Sequence, residues 1–203
     1  MEKTTKNIFG AEKFFSDFSP KEINLNGHSD DKQALARLFK SFLPHLKEGD
    51  YLELGCGSGI LCRFIYFFSE QKVIPHGVDI EPKLIALAKK NNPSLAKNFR
   101  VADYFNLEAD DFSGFSTINI FIGQDLPSNE WGKLVKLVDD IFKANKQAKI
   151  LLTIYNYELI NGQDPRVKKF ISLLKKKAGC KIANHNLIVL ANPKREQSGH
   201  EKR

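Results

Sequence analysis

A chain of 203 residues with 42% apolar and 27% charged side chains, 13 Gly and 8 Pro can bury one ordinary core, which excludes disordered and collagen-like classes. No apolar run nears the ~20 residues that cross a bilayer, and Cys56, Cys62 and Cys180 have neither disulfide-framework nor zinc spacing; the expectation is a single-domain cytoplasmic protein with no metal and no membrane contact. The net charge of +7 is lopsided, because residues 165–203 carry eleven Lys and Arg against two Glu, leaving the first 164 residues at −2.

Residues 1–29 mix Phe9, Phe14, Phe15 and Phe18 with charged and turn residues, and Pro20 and Gly27 interrupt any long helix. They read as an N-terminal extension packed on the main domain and able to serve as a lid. The main domain then spans 30–193. Ser29, Asp30 and Asp31 cap a helix whose apolar face is Leu35, Leu38, Phe39 and Phe42, ending near Pro44. From there strands and helices alternate: strand Tyr51–Leu54, helix Ile60–Phe68, strand Val73–Asp79, and helix Pro82–Asn91 with Pro82 in its tolerated first turn. A third strand over Phe99–Ala102, a fourth over Thr117–Ile122, a helix over Glu130–Ala144 and a fifth strand over Ile150–Tyr155 follow. A basic helix over Arg166–Ala178 and a last strand over Leu187–Ala191 complete the domain, and 194–203 reads as a basic flexible tail.

Strands written as near-continuous apolar runs, such as Ile-Leu-Leu-Thr-Ile, belong to a sheet covered on both faces, and intervening helices require mostly parallel pairing. The expected architecture is an α/β three-layer sandwich around a mostly parallel central sheet. Its most informative stretch is Leu52-Glu53-Leu54-Gly55-Cys56-Gly57-Ser58-Gly59-Ile60, where a strand runs through three alternate glycines straight into an apolar helix. Such a loop lets a ligand lie against bare backbone at a helix N-terminus. The dinucleotide fingerprint would require Gly or Ala where Ile60 stands, which argues against NAD.

The acidic residue, spacer and Gly-x-Gly-x-Gly formed by Glu53, Gly55, Gly57 and Gly59 resembles the first motif of the class I S-adenosylmethionine-dependent methyltransferases. The resemblance implies a Rossmann-like fold and S-adenosylmethionine as cofactor. It places the loop, Cys56 included, under the methionine and ribose, with Glu53 steadying the loop and the methionine amino group. By the same resemblance Asp79, in Gly77-Val78-Asp79-Ile80-Glu81-Pro82, takes the ribose hydroxyls and Ile80 packs on the adenine, while Glu81 favours the dipole of the following helix. In Val101-Ala102-Asp103-Tyr104 it gives Asp103 the adenine amine and the Tyr104 backbone N–H the ring.

Gly123-Gln124-Asp125-Leu126-Pro127-Ser128 is expected to line the methyl-transfer site, with Gly123 beside the cofactor and Gln124 or Asp125 positioning the acceptor. Compared with the Asp/Asn-Pro-Pro-Tyr motif of amino-group methyltransferases, Asp125 and Pro127 match while Leu126 and Ser128 do not, so base methylation is not assigned. His28 is a further weak candidate for a base near neutral pH, set against an ordinary surface turn. The implied activity is methyl transfer to a small-molecule acceptor. The alternatives are an RNA or protein methyltransferase using the basic C-terminal helix and tail, or a non-catalytic cofactor-binding protein.

Overall fold

The computed structural model describes residues 13–19, 32–122, 130–154, 165–184 and 187–192; in this set nothing is described of the side chains of Ala34, Arg166, Val167, Lys177 and Asn184. Its elements are helix α1 (Lys32–Phe42), strand β1 (Gly49–Leu54), helix α2 (Ile60–Phe68), strand β2 (Val73–Asp79), helix α3 (Pro82–Asn91) and strand β3 (Phe99–Val101). Strand β4 (Thr117–Ile122), helix α4 (Trp131–Ala144), strand β5 (Lys149–Ile154), helix α5 (Pro165–Lys177) and strands β6 (Gly179–Asn184) and β7 (Leu187–Ala191) follow. They build one seven-stranded sheet in the order β3-β2-β1-β4-β5-β7-β6, parallel except that β7 runs against both its neighbours. Strand order reverses between β1 and β4, the place where open α/β sheets hold ligands.

The alternation of side chains along β1 sorts the core into two layers. Tyr51 faces a cluster with α1, α2 and α3, whereas Leu52 and Leu54 face a cluster with α4 and α5. The three-layer sandwich and its mostly parallel sheet are therefore as expected, but the C-terminal end is not. The sequence reading ended the sheet with one strand, and the structure has two, because β6 forms an antiparallel hairpin with β7. Gly179-Cys180-Lys181-Ile182-Ala183-Asn184 is an edge strand with Ile182 substantially exposed, so it lacks the apolar run that marked the central strands. Strand β3 also stops one residue short of the expectation, at Val101, and α4 starts at Trp131.

Helix α2 is apolar nearly all round because it is covered on its outer side too. Residues 13–16 form one helical turn, and Phe14, Phe15 and Phe18 are buried against it. Phe64 stands at the centre, with ring centroids 5.4 Å from Phe14, 6.0 Å from Phe15 and 4.2 Å from Phe68. The Arg63 guanidinium lies over Phe14 and Phe18, at 5.8 and 5.1 Å from their centroids. Each buried Phe contributes about 1.5–3 kcal/mol, which offsets much of the entropy lost in ordering the segment onto the domain. The rest of the extension and the 194–203 tail lie outside the described residues.

Gly77 in β2 leaves no room for a side chain: a Cβ there would lie 2.6 Å from Phe99, its partner on β3, and 2.7 Å from the Cys56 sulfur on the β1–α2 turn. Gly77→Ala is expected to destabilise the protein by about 1–3 kcal/mol in urea unfolding through this overpacking. Gly132→Ala, in α4 with open space around it, should instead stabilise by up to about 1 kcal/mol. Equal effects at the two sites would overturn the packing argument.

Candidate active site

The turn between β1 and α2 is held down by β2. The N–H groups of Gly55 and Cys56 both donate to the Val78 carbonyl, at 2.8 and 3.0 Å, and the Gly57 N–H donates to Asp79 Oδ2 at 2.8 Å. Gly55, Gly57 and Gly59 all have positive φ, a region costly for side chains with a Cβ. At Gly59 space is limiting as well, since a Cβ would come within 2.8 Å of Asn92 Nδ2 and 3.0 Å of the Ala88 Cβ. From α3 and its C-cap, Asn91 Nδ2 donates to the Ser58 carbonyl at 3.0 Å and Asn92 Nδ2 to the Gly59 carbonyl at 3.1 Å. The glycine turn is thus pinned from both sides while its upper surface stays open.

Above it lies a cavity of about 410 Å³, within the range of small-molecule sites. Gly55, Gly57 and Ile80 contribute to its wall, and Ile80 presents its side chain outward with 68% exposure. Its charged described wall is Glu53, Asp79, Asp103 and Glu130, with no Lys, Arg or His among the lining residues described. Such a wall favours a ligand bearing positive charge and disfavours a pyrophosphate. The Tyr104 hydroxyl registers the field: burial first, then the charges of Glu130, Asp103 and Asp79, push its pKa up to about 12.

Two of these carboxylates also do local structural work. Asp79 Oδ1 accepts the Glu81 N–H at 2.9 Å, and Asp103 Oδ1 accepts the Phe105 N–H at 2.9 Å as the cap of a short 3-10 turn. Each oxygen keeps a further lone pair for a ligand. Glu81 itself caps α3, its carboxylate accepting the Lys83 N–H at 3.2 Å. Glu53 differs from all of them in being 2% exposed. Burial raises its pKa to about 8 against the lowering influence of Cys62, whose Sγ donates to Oε2 at 2.9 Å, and of Asn119.

The structure brings together, around one cavity, Glu53, Gly55, Cys56, Gly57, Asp79, Ile80, Asp103 and Tyr104, which the sequence nominated; Gly59 sits just below, as the N-cap of α2. Cys56 is buried, and desolvation pushes its thiol well above the ordinary range, so it packs and does not act as a nucleophile. Gly123, Gln124, Asp125 and His28 lie outside the described residues. Among the described residues no group of His, Cys, Asp and Glu could hold a metal, and no helix is long and apolar enough to cross a membrane. Sequence reasoning missed Asn91, Asn92, Asn119, Phe121 and Glu130. The only signal available for any of them was Asn91-Asn92 at a helix end, which ordinarily marks a cap.

Because the folded value of Glu53 lies above its ordinary 4.5, the stability this group contributes is complete below about pH 4.5 and is lost as pH rises through 8. Glu53→Gln, which mimics the protonated acid, should therefore lose less stability than the wild type between about pH 6 and 9, measured by urea unfolding. Identical pH dependence in the two proteins would show that Glu53 is already ionised at the lower pH.

A family model described as a methyltransferase domain matches residues 45–200. No curated protein matches the sequence. Among solved structures, the PH0226 protein from Pyrococcus horikoshii OT3 superposes with a TM-score of 0.60 at 19% identity, over 89% of this chain and 98% of that one. An SAH-bound methyltransferase from Podospora anserina, PaMTH1, gives 0.56 at 13% identity over 92% and 87%. The small RNA methyltransferase HEN1 gives 0.57 at 13% identity over 80% of this chain and 25% of that one. At these identities the likeness is one of fold. With the family model covering most of the chain and the sheet order and glycine turn described above, the chain belongs to the methyltransferase-domain family.

Proposed function

We propose that this protein binds S-adenosylmethionine at the carboxyl end of β1 and transfers its methyl group to a small-molecule acceptor. The observation that carries the reading is the bare glycine turn, pinned by Asp79, beneath a wall of four carboxylates with no cation among the described residues lining it. That wall suits a cofactor with a sulfonium and an ammonium group. It does not suit the pyrophosphate of a dinucleotide, in agreement with the branched Ile60 after the third glycine.

When bound, the cofactor supplies an electrophilic methyl on positively charged sulfur. The protein's own residues supply position. In this reading Glu53 receives the amino group and the remaining lone pairs of Asp79 accept from the ribose hydroxyls. Ile80 covers one face of the adenine, Asp103 accepts from its amine and the Tyr104 N–H donates to the ring. Orientation of this kind can lower a barrier by about 7–11 kcal/mol in favourable cases, and a base is needed only for an acceptor that enters protonated. Gln124 or Asp125 would position the acceptor, with His28 as a weaker candidate. Residues 30–193 would form the methyltransferase domain, with 1–29 as an N-terminal extension whose residues 13–19 pack on α2.

Methylation of RNA or protein is the second reading. Lys168, Lys169, Lys175 and Lys176 are exposed on α5, while Phe170 and Leu174 on the same helix are buried in the core. A solvated helix face accounts for this arrangement without a polyanion, and none of these lysines lines the cavity.

Titration calorimetry should show S-adenosylmethionine and S-adenosylhomocysteine binding with NAD silent. Asp79→Ala should weaken the binding by about 1.5–3 kcal/mol, the worth of hydrogen bonds to a charged group. Wild-type affinity in that variant would remove the ribose role. Methyl incorporation into RNA, with binding that falls steeply as salt rises, would replace the small-molecule acceptor by the second reading.

A further inference from the structure

Glu53 stands in a polar row that no part of the glycine turn requires. In the sheet register Glu53 of β1 lies beside Asn119 of β4, and Thr153, one pleat further along β5, is on the same face. All three side chains are buried. The Thr153 hydroxyl donates to Asn119 Oδ1 at 2.9 Å, which fixes the amide so that its nitrogen is turned away from Thr153. That nitrogen stands close enough to favour the ionised forms of both Glu53 and Tyr51, yet among the described residues neither Asn119 Nδ2 nor the Tyr51 hydroxyl makes a hydrogen bond. A buried amide N–H without a partner costs about 1–3 kcal/mol, so its retention calls for a state in which it is used.

The other groups facing Glu53 are Tyr51 on its own strand, Cys56 on the glycine turn, Cys62 on α2 and Asp79 on β2. Burial pushes both thiols and the phenol well above their ordinary ranges, and Asp79, a second carboxyl, opposes a charge on Glu53. No cation faces Glu53 among the described residues that act on it. In the protein without ligand the carboxyl is therefore best kept as the neutral acid, whereas an ammonium group arriving in the cavity would favour the carboxylate.

We propose that Thr153 and Asn119 are positioning residues for Glu53: they present an amide N–H to it so that the buried acid ionises when the ammonium of the cofactor arrives, making cofactor binding a proton-releasing event. The balance is simple. The Glu53 O–H bond breaks, its proton leaves to solvent, the carboxylate keeps the electron pair, and the ammonium retains all its protons. Without the Thr153 hydroxyl the amide is free to turn its oxygen towards Glu53, which opposes the carboxylate. The proposal rests on the reading that Glu53 receives the cofactor's amino group, and the experiment separates the two.

Calorimetry of the full chain with S-adenosylhomocysteine, in buffers of different ionisation enthalpy, should show about one proton released near pH 6.5. Affinity should rise about tenfold per pH unit between about pH 6 and 8 and level off above that. 5′-Methylthioadenosine, which has the nucleoside but no amino acid, should bind with no proton release and no such slope. Thr153→Val should weaken S-adenosylhomocysteine binding at least several-fold near pH 7, converge on the wild type near pH 9, and leave methylthioadenosine unaffected, with Thr153→Ser restoring the wild-type profile. Asn119→Ala serves the same purpose if Thr153→Val does not fold by circular dichroism. Binding of both compounds with a flat pH profile, or equal weakening of both at every pH in the variant, overturns the proposal. Failure of both to bind the wild type overturns the underlying reading instead.

Discussion

The hydrogen bonds that tie the β1–α2 turn to β2 are the constraint on which the site depends. Three consecutive N–H groups, those of Gly55, Cys56 and Gly57, are taken up by Val78 and Asp79, so the first half of the turn is anchored from the neighbouring strand. Backbone donors satisfied from below leave the upper surface free of side chains and available to a ligand. The same geometry explains Gly77: with the turn drawn onto β2, Cys56 and Phe99 fill the space in which a Cβ would sit. Asp79 therefore joins two tasks in one carboxylate, holding the turn and facing the cavity.

Charge gives the cavity its second property. Four carboxylates face one space in a protein whose net charge is +7, and the exposed lysines of α5 lie on a helix packed against α4 and β6. None of those lysines lines the acidic cavity. Of the four carboxylates, Asp79 and Asp103 accept hydrogen bonds from backbone N–H groups, and Glu130 has Lys133 at 3.4 Å. Among the described residues Glu53 has no backbone donor, only the Cys62 thiol and the nearby Asn119 amide. Burial therefore governs its proton, and a bound cation is the natural partner for its charge.

The aromatic layer over α2 stabilises the element that carries the turn. Phe14, Phe15, Phe39, Phe64 and Phe68 form a continuous set of ring contacts, and α2 begins directly at Gly59. Residues 13–19 are thus part of the support beneath the site, a role the composition of the extension suggested only as general packing.

The sequence by itself determined the elements whose signals are local. The apolar runs of β1, β2, β4 and β5, the helix from Ile60 to Phe68 and the helix opened by Pro82 each carry their own period or cap, and the alternate glycines announced a ligand-bearing turn. Only the tertiary structure decided the strand order, the reversed β7, and the pairing of β6, whose exposed edge leaves little apolar pattern to read. It alone also recruited Asn91, Asn92, Asn119 and Thr153, because a polar residue in a strand or at a helix end acquires its role from whatever faces it across the fold. The hydrogen bonds that define these roles span 33 or 34 residues of chain, and no local pattern encodes such a distance.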